Sequence, residues 1–291
     1  MKAVRVYVTG ADGLVGTALM TALAAGSTAT WSVLGVTASD FDIADRPAVL
    51  DSIAAFAPDV VVHCAANAVV DDCEQRPGAA LQVNVGGVRN VADGSVLSRS
   101  RMIYLSSDYV FDGARPPTGG YREGDGANPL SVYGVTKLAG EQLVSRVPDH
   151  LVVRTSWLFG GADASTDPLL LTLRAAERGL RTPLVCDQCS SPTYSADLAR
   201  ALVSLLVHPV NGVLHVANTG SASWYDVGTY LLRELSLQPQ PLPMHACGFV
   251  GARPADSTLN TDRLAVLGLG LPPWTDAVDR YRAALTDRAA V

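Results

Sequence analysis

The chain has 291 residues, of which 48% are hydrophobic and 17% charged, and its formal net charge is −6. The apolar fraction is large enough for a sizeable buried core and argues against a disordered chain. The acidic balance argues against a nucleic-acid partner, and no apolar run reaches the roughly 18 residues of a membrane span. The N-terminal segment does not resemble a signal peptide, and the five cysteines do not indicate a disulfide framework. We therefore expect a cytoplasmic protein without a membrane or nucleic-acid partner.

Apolar strands alternate with helical stretches through the first half of the chain. In chain order, the sequence predicts a strand at 4–8, a helix ending near 25, a strand at 31–36, a helix at 46–56, a strand at 59–65, a helix at 77–97, a strand at 102–105, a helix at 132–147 and a strand at 151–155. This alternation is typical of an α/β fold with a parallel sheet covered on both faces.

Beyond residue 160 the pattern becomes looser. Helices are predicted at 169–179, 196–206 and 224–235, and short strands at 184–186 and 213–217. We therefore expect a Rossmann-type doubly wound parallel sheet over residues 1–160. A smaller, irregular C-terminal substrate lobe should cover residues 161–291, with some of its segments returning to the sheet. A cleft is expected between the two, at the strand ends.

Three glycines, Gly10, Gly13 and Gly16, separate the first strand from the first helix. Glycines in such a turn permit close approach of the backbone to a pyrophosphate, which the helix N-terminus attracts. Strand–turn–helix junctions also favour glycine in general, but the position at the first strand of an α/β chain favours a dinucleotide site.

The choice between NADH and NADPH depends on the residues after the second strand. Residues 36–43 contain no Lys or Arg, Asp40 lies late for a ribose contact, and Asp42 and Ile43 could line the adenine. Both cofactors stay open, with NADPH slightly preferred.

Tyr133 and Lys137 are four residues apart in a predicted helix and therefore share one face. An ammonium close to a phenol favours the phenolate and lowers the pKa of the phenol from about 10. Such a pair suits ketone reduction, in which a proton must reach the developing alkoxide. An ordinary exposed pair is the alternative interpretation, but Ser106 and Ser107 at the end of the fourth strand add hydroxyls that could polarise a carbonyl.

Longer motifs make the chain similar to the dTDP-4-dehydrorhamnose reductase family of extended short-chain dehydrogenases/reductases. These motifs are GADGLVG at 10–16, SSDYVFDG at 106–113, YRE at 121–123, NPLSVYGVTKLAGE at 128–141, RTSWLFG at 154–160, DQ at 187–188, PT at 192–193, DLA at 197–199 and ARP at 252–254. The resemblance implies NAD(P)H-dependent reduction of the 4-keto group of a nucleotide-linked 6-deoxyhexose, in deoxysugar biosynthesis.

The resemblance also implies roles for individual residues. The catalytic set would be Ser107, Tyr133 and Lys137. The cofactor site would comprise Gly10, Asp12, Gly13, Leu14, Val15, Gly16, Asp42, Ile43, Cys64, Ala65, Ala66, Asn84, Tyr133 and Lys137. The substrate site would comprise Ser107, Asp108, Tyr109, Tyr133, Trp157 and Arg253.

Three of these residues have a structural alternative. Trp157 could be a buried aromatic residue at a strand end, and Asn84 a helix-cap or polar-face residue. Arg253 could bind a diphosphate or pair with a carboxylate of the C-terminal lobe.

The chain departs from the family pattern at three places. Residues 65–71 read AANAVVD, so a hydroxyl and an aromatic residue that the family commonly has there are missing, which leaves the sugar undecided. Ala18 replaces a glutamate that joins a magnesium-bridged dimer in some members, so we expect no metal and leave a homodimer open. His63 replaces a frequent asparagine, which we interpret as a packing change.

Other functions are also considered. Cys186-x-x-Cys189 lacks a second ligand pair, which disfavours a zinc site. A non-catalytic regulatory subunit resembling that of methionine adenosyltransferase is one alternative. A sugar-nucleotide epimerase or dehydratase, which would hold NAD⁺ tightly, is the other.

Overall fold

The computed structural model describes residues 3–25, 31–114, 116–163 and 167–289. The strands are β1 (Val4–Thr9), β2 (Trp31–Val36), β3 (Val60–His63), β4 (Arg101–Ser107), β5 (His150–Thr155), β6 (Leu158–Phe159), β7 (Pro183–Val185), β8 (Thr193–Tyr194), β9 (Gly212–His215) and β10 (Leu242–Met244). A six-stranded parallel sheet forms the centre, in the strand order β2-β1-β3-β4-β5-β9. Outside it, β7 pairs with β10 and β6 pairs with β8. The doubly wound Rossmann-type sheet that the alternating pattern predicted is thus confirmed.

Helices cover both faces of this sheet. They are α1 (Leu14–Ala24), α2 (Arg46–Phe56), α3 (Val70–Gln75), α4 (Pro77–Leu81), α5 (Val88–Ser98), α6 (Val132–Val144), α7 (Pro168–Glu177), α8 (Ser195–Leu205), α9 (Trp224–Glu234), α10 (Asp262–Val266) and α11 (Trp274–Ala289). One core layer lies between the sheet and helices α1 and α8, and a second layer lies between the sheet and helices α2, α5 and α6. The continuous valine run of β3 is buried because both faces of this inner strand are covered.

Segments from the second half of the chain complete the sheet layer. Strand β9 pairs with β5, and helix α8 packs against α1. A separate apolar cluster is formed by α7, α9 and α11 around Phe159 and Tyr281. The predicted domain boundary at residue 160 stays a prediction. The segments of the second half that return to the sheet include α8 and β9, within residues 195–215.

The helix expected over 77–97 is interrupted. In the structure α4 is followed by a π-helical turn, Gln82–Gly87, before α5 begins. Within this turn, the amide of Asn84 accepts a hydrogen bond from Asn67 N (2.7 Å) and donates one to Asn67 O (2.9 Å). A long-range contact therefore accompanies the local departure from α-helical geometry, and sequence spacing alone does not show it.

A buried ion pair fastens α6 to the sheet. Arg154 of β5 donates from Nη2 to Glu141 Oε2 (2.7 Å) and from Nε to Glu141 Oε1 (2.9 Å), and both side chains are at most 5% exposed. Ser106 of β4 adds a third hydrogen bond to the same carboxylate (2.5 Å). Because α6 carries Tyr133 and Lys137, this pair sets their position relative to the strand ends.

We expect the Arg154→Met variant to lose about 3–5 kcal/mol of unfolding free energy, because it leaves the charge of Glu141 buried without its cation. Urea denaturation measures this loss. The matched control is Arg174→Met, which breaks the exposed pair with Glu177 and should cost no more than about 1 kcal/mol. Equal losses in the two variants would contradict the anchoring role of Arg154.

Candidate active site

The glycine turn brings three backbone segments into close contact. Gly10 has a positive φ of 64°, and a Cβ atom there would lie 2.8 Å from Ala65 Cα. A Cβ atom on Gly16 would lie 2.0 Å from the carbonyl oxygen of Gly10. Any side chain at these two positions would therefore push the start of α1 away from the ends of β1 and β3, where the free N–H groups of the helix face the cleft.

Two adjoining cavities open at the carboxyl ends of the strands. The first cavity, of about 510 Å³, includes the following predicted cofactor residues: Gly10, Asp12, Gly13, Asp42, Ile43, Cys64, Ala65 and Ala66. The second cavity, of about 670 Å³, includes Leu14, Val15, Gly16, Ser107, Asp108, Tyr109, Tyr133, Lys137 and Trp157. Gly10, Gly13, Cys64 and Ala66 line both, so the two cavities meet at the glycine turn and the end of β3.

The carboxylate of Asp40 is hydrogen-bonded within its own turn. Its Oδ2 accepts hydrogen bonds from Thr37 N (2.8 Å) and Thr37 Oγ1 (3.0 Å). Asp42 and Ile43, by contrast, line the first cavity. The contact of Asp42 and Ile43 with an adenine stays a prediction.

Tyr133 and Lys137 both line the second cavity, and burial governs their ionisation. The Lys137 ammonium lies 4.5 Å from the centre of the Tyr104 ring, and burial lowers its pKa to about 8. Burial raises the pKa of the Tyr133 phenol, and a hydrogen bond with Ser107 only partly opposes the rise. The expectation that Lys137 holds the pKa of Tyr133 below its usual value is therefore wrong for the free protein, because desolvation of the phenolate dominates.

Asp108, which the sequence analysis predicted to bind substrate, accepts hydrogen bonds from four serine hydroxyls. Its Oδ1 accepts from Ser107 Oγ (3.0 Å). Its Oδ2 accepts from the hydroxyls of Ser257 (2.5 Å), Ser190 (2.8 Å) and Ser156 (3.1 Å). The residue is only 1% exposed and its hydrogen bonds tie segments together, while its role as a substrate ligand stays a prediction. Sequence reasoning missed Ser190 and Ser257 because they lie 82 and 149 residues from Asp108 in the chain.

Aromatic side chains form part of the wall of the second cavity. Trp157, which has a positive φ of 41°, stacks on Trp224 with ring centres 5.1 Å apart and planes 5° from parallel. Tyr109 meets Tyr133 edge to face at 5.9 Å. Trp224 was not anticipated; the available signal was its place at the start of α9, directly after the capping residue Ser223.

Two predicted ligands do not line either cavity. Asn84 is buried and uses its amide on the backbone of Asn67 and on Thr136 Oγ1 (3.0 Å), so it is neither a helix cap nor a polar-face residue, and its cofactor role stays a prediction. Arg253 pairs with a carboxylate, as one alternative stated. The partner is Asp71 of α3 (2.9 Å), not an acid of the C-terminal lobe.

The remaining departures have packing roles. His63 Nδ1 lies 2.7 Å from Thr9 Oγ1 and its ring stacks on Tyr104, while burial lowers its pKa to about 3. Ala18 packs against the core layer under α1. Within the part of the chain that the structure describes, no three His, Cys, Asp or Glu side chains are grouped to hold a metal, and no helix is long and apolar enough to cross a membrane.

Comparisons with known proteins agree with this architecture. A family model described as the RmlD substrate binding domain matches residues 4–286. The chain is 37% identical to dTDP-4-dehydrorhamnose reductase of Mycolicibacterium smegmatis, over 98% of this chain and 87% of that protein. It is 35% identical to dTDP-4-keto-6-deoxy-D-glucose reductase of Streptomyces niveus, over 94% and 95% of the two chains.

A solved structure extends the similarity to three dimensions. It is the crystal structure of dTDP-4-dehydrorhamnose reductase from Bacillus anthracis in complex with NADP, with a TM-score of 0.90 at 32% identity, covering 96% of this chain and 99% of that one. With the same fold, matches over nearly the whole length and the Tyr–Lys pair in the wall of the second cavity, this chain belongs to the dTDP-4-dehydrorhamnose reductase family of extended short-chain dehydrogenases/reductases.

Proposed function

We propose that this chain is an NAD(P)H-dependent ketoreductase that reduces the 4-keto group of a dTDP-linked 4-keto-6-deoxyhexose in deoxysugar biosynthesis. The observation that carries the proposal is that Ser107, Tyr133 and Lys137 together line the second, aromatic-lined cavity, which adjoins the first cavity at the glycine turn. The names of its relatives, which include reductases of two dTDP-linked keto sugars, support the same substrate class.

The first cavity fits the adenosine and pyrophosphate part of a dinucleotide, whose nicotinamide would then reach the second cavity. Gly10 and Gly16 have no side chain, so the backbone and the N-terminus of α1 can approach a pyrophosphate closely. Asp42 and Ile43 line this cavity, in which the adenosine would bind. The nicotinamide, when bound, supplies the hydride. The glycines and Ile43 are compatible with both forms of the cofactor; NADPH is the first choice because a relative was crystallised with NADP.

Tyr133 is suited to give the proton. Because burial raises the pKa of its phenol, the group is fully protonated at neutral pH and ready to donate to the carbonyl oxygen as the C–H bond forms. Lys137, whose pKa of about 8 keeps it largely charged at neutral pH, then stabilises the resulting phenolate and can bind the nicotinamide ribose. Ser107 orients the carbonyl, and the Trp157–Trp224 stack offers a flat apolar surface for a base or sugar ring.

The direct test is oxidation of NADPH or NADH by the purified protein when a dTDP-4-keto-6-deoxyhexose is added, followed by the absorbance of the reduced nicotinamide. We expect turnover with EDTA present, since hydride transfer here uses hydroxyl groups to polarise the ketone. Absence of turnover with several such sugars, together with tight binding to another protein, would favour the regulatory-subunit alternative. Cofactor that co-purifies as tightly bound NAD⁺ would favour an epimerase or dehydratase.

Two finer points belong to the same proposal. We place the enzyme in the cytoplasm, where NAD(P)H is available, and we allow a homodimer. Light scattering of the purified protein measures its oligomeric state, and cell fractionation measures its location.

We expect Tyr133→Phe to lower turnover by about a hundredfold to ten-thousandfold, the usual contribution of a positioned acid. The affinity for NAD(P)H should stay near the wild-type value, because the substitution removes only one hydroxyl at the cavity wall and leaves the aromatic ring in place. Tyr230→Phe is the matched control, since it removes a hydroxyl that bonds Asp279 (3.1 Å) away from both cavities. Wild-type turnover in the Tyr133 variant would show that another group donates the proton.

We expect the affinity for NAD(P)H to be nearly constant below pH 8 and to weaken as the pH rises above it, because Lys137 loses its proton there in the free protein. The nearby thiols do not titrate in this window, since burial raises the pKa of Cys64 to about 12 and that of Cys73 to about 11.

Lys137→Arg should bind the cofactor more weakly at all pH values and lose the pH dependence above 8, because a guanidinium stays charged and has a wider shape. Fluorescence titration of the reduced nicotinamide measures both effects. An unchanged pH profile in the variant would assign the titration to another group.

A further inference from the structure

The ammonium of Lys137 is buried against an aromatic ring. The residue is only 4% exposed, and its Nζ atom lies 4.5 Å from the centre of the Tyr104 ring. Among the residues that the structure describes, no oxygen atom accepts a hydrogen bond from this Nζ. Because an ammonium removed from water is costly unless another group compensates its charge, Lys137 needs such a group in its surroundings.

The titratable groups that face Lys137 carry no free negative charge at neutral pH. They are His63 and Cys64 at the end of β3, Cys73 of α3, Tyr104 of β4, and Tyr133 and Glu141 of α6. Both thiols stay protonated, because burial raises the pKa of Cys64 to about 12 and that of Cys73 to about 11. Burial also raises the pKa values of the two phenols, and it lowers the pKa of His63 to about 3, so that this ring is neutral. The carboxylate of Glu141 is already neutralised by Arg154 (2.7 Å).

The ring face of Tyr104 is suited to compensate the ammonium. An aromatic ring has a negative face, and a cation within about 6 Å of the ring centre is attracted to it, more strongly where water is excluded. Tyr104 is fully buried, and it lines neither of the two cavities. It can therefore act on a ligand only through Lys137, which lines the second cavity.

Neighbouring groups hold this ring in one orientation. Tyr104 pairs with His63 in the sheet, and the two rings stack with centres 5.8 Å apart and planes 19° from parallel. Toward α6, the Tyr104 Oη atom lies 3.4 Å from Lys137 O, and a Cβ atom on Gly140 would lie 2.3 Å from the same Oη. The hydroxyl thus occupies the space that a side chain at position 140 would need, and the ring is confined between β3 and α6.

We propose that Tyr104 is a positioning residue: the face of its ring keeps the Lys137 ammonium charged and in place at the second cavity, where the cofactor meets it. The part that concerns the cofactor rests on the proposed function, in which Lys137 binds the nicotinamide ribose. The contact between ring and ammonium does not depend on that role, and it can be measured in the free protein.

The direct readout is the titration of Lys137, followed by NMR of protein made with isotope-labelled lysine. Lys2 and Lys137 are the only lysines of the chain. The spectrum therefore contains two lysine signals, and the signal that is absent from Lys137→Arg belongs to Lys137. The signal of Lys2 serves as the internal reference.

Two substitutions separate the negative ring face from the shape of the ring. Tyr104→Phe keeps the aromatic face, whereas Tyr104→trifluorophenylalanine keeps nearly the same shape while fluorine withdraws the negative charge of the face. We expect Lys137 in Tyr104→Phe to titrate close to the wild-type value. In the fluorinated variant it should lose its proton about one pH unit lower than in Tyr104→Phe, because a weaker attraction favours the neutral amine.

Tyr7→trifluorophenylalanine, measured against Tyr7→Phe, is the matched control. Tyr7 is a fully buried tyrosine of the same core layer, and it contacts Phe56 and Ser52. The titration of Lys137 should be the same in this pair. If fluorination of residue 104 prevents folding, Tyr104→Met, which has no aromatic face, takes its place and should also titrate at lower pH. Equal titration of Lys137 with and without the negative face, in folded protein, would overturn the proposal.

The affinity for NAD(P)H tests the link to the cofactor. At pH 8, close to the pKa of Lys137, the dissociation constant should be about fivefold higher in the fluorinated variant than in Tyr104→Phe, because the charged fraction of Lys137 falls from about one half to about one tenth. Below about pH 6 the two variants should bind equally. A lowered titration with unchanged affinity at pH 8 would contradict the cofactor role of Lys137 in the proposed function, and with it the positioning role of Tyr104. An unchanged titration would overturn the role of Tyr104 alone.

Discussion

Asp108 places a carboxylate at the carboxyl end of the inner strand β4, almost completely out of water. Burying such a group is costly unless hydrogen-bond donors replace its hydration. Those donors are serine hydroxyls, and three of them lie 48, 82 and 149 residues further along the chain. Because these donors come from different parts of the chain, the ends of β4 and β5, the loop at Ser190 and the segment at Ser257 all meet at the Asp108 carboxylate. The substrate side of the cleft is built around this requirement.

Other buried acids act in the same way elsewhere in the fold. Glu141 joins α6 to β4 and β5 through Ser106 and Arg154. Asp167, at the start of α7, accepts hydrogen bonds from the backbone N–H groups of Gly160 and Gly161 and from the hydroxyl of Tyr281 in α11 (2.8 Å). Each of these carboxylates joins different elements of the fold through buried hydrogen bonds, which fix a relative position that non-directional hydrophobic packing does not specify.

Burial also decides the chemistry of the Tyr–Lys pair. The same low-dielectric surroundings raise the pKa of Tyr133 and lower that of Lys137, so the wall of one cavity holds a neutral phenol and an ammonium that loses its proton near pH 8. A protonated phenol is the form that a reductase requires at the start of its reaction. A dehydrogenase oxidising the corresponding alcohol would need the phenolate at the start, and burial makes the phenolate costly to form.

The sequence by itself determined the features that depend on near neighbours in the chain. The alternation of strands and helices predicted the parallel sheet, the three glycines marked the turn before α1, and the spacing of Tyr133 and Lys137 placed them on one helical face. Three further contacts were decided only by the tertiary structure: the links from Asp108 to Ser156, Ser190 and Ser257, the stack of Trp157 on Trp224 and the pair of Asp71 with Arg253. These contacts join residues that are tens to more than a hundred positions apart, so no local sequence pattern indicates them. The direction of the pKa shift at Tyr133 was likewise inaccessible, because it depends on how completely the folded chain excludes water from the phenol.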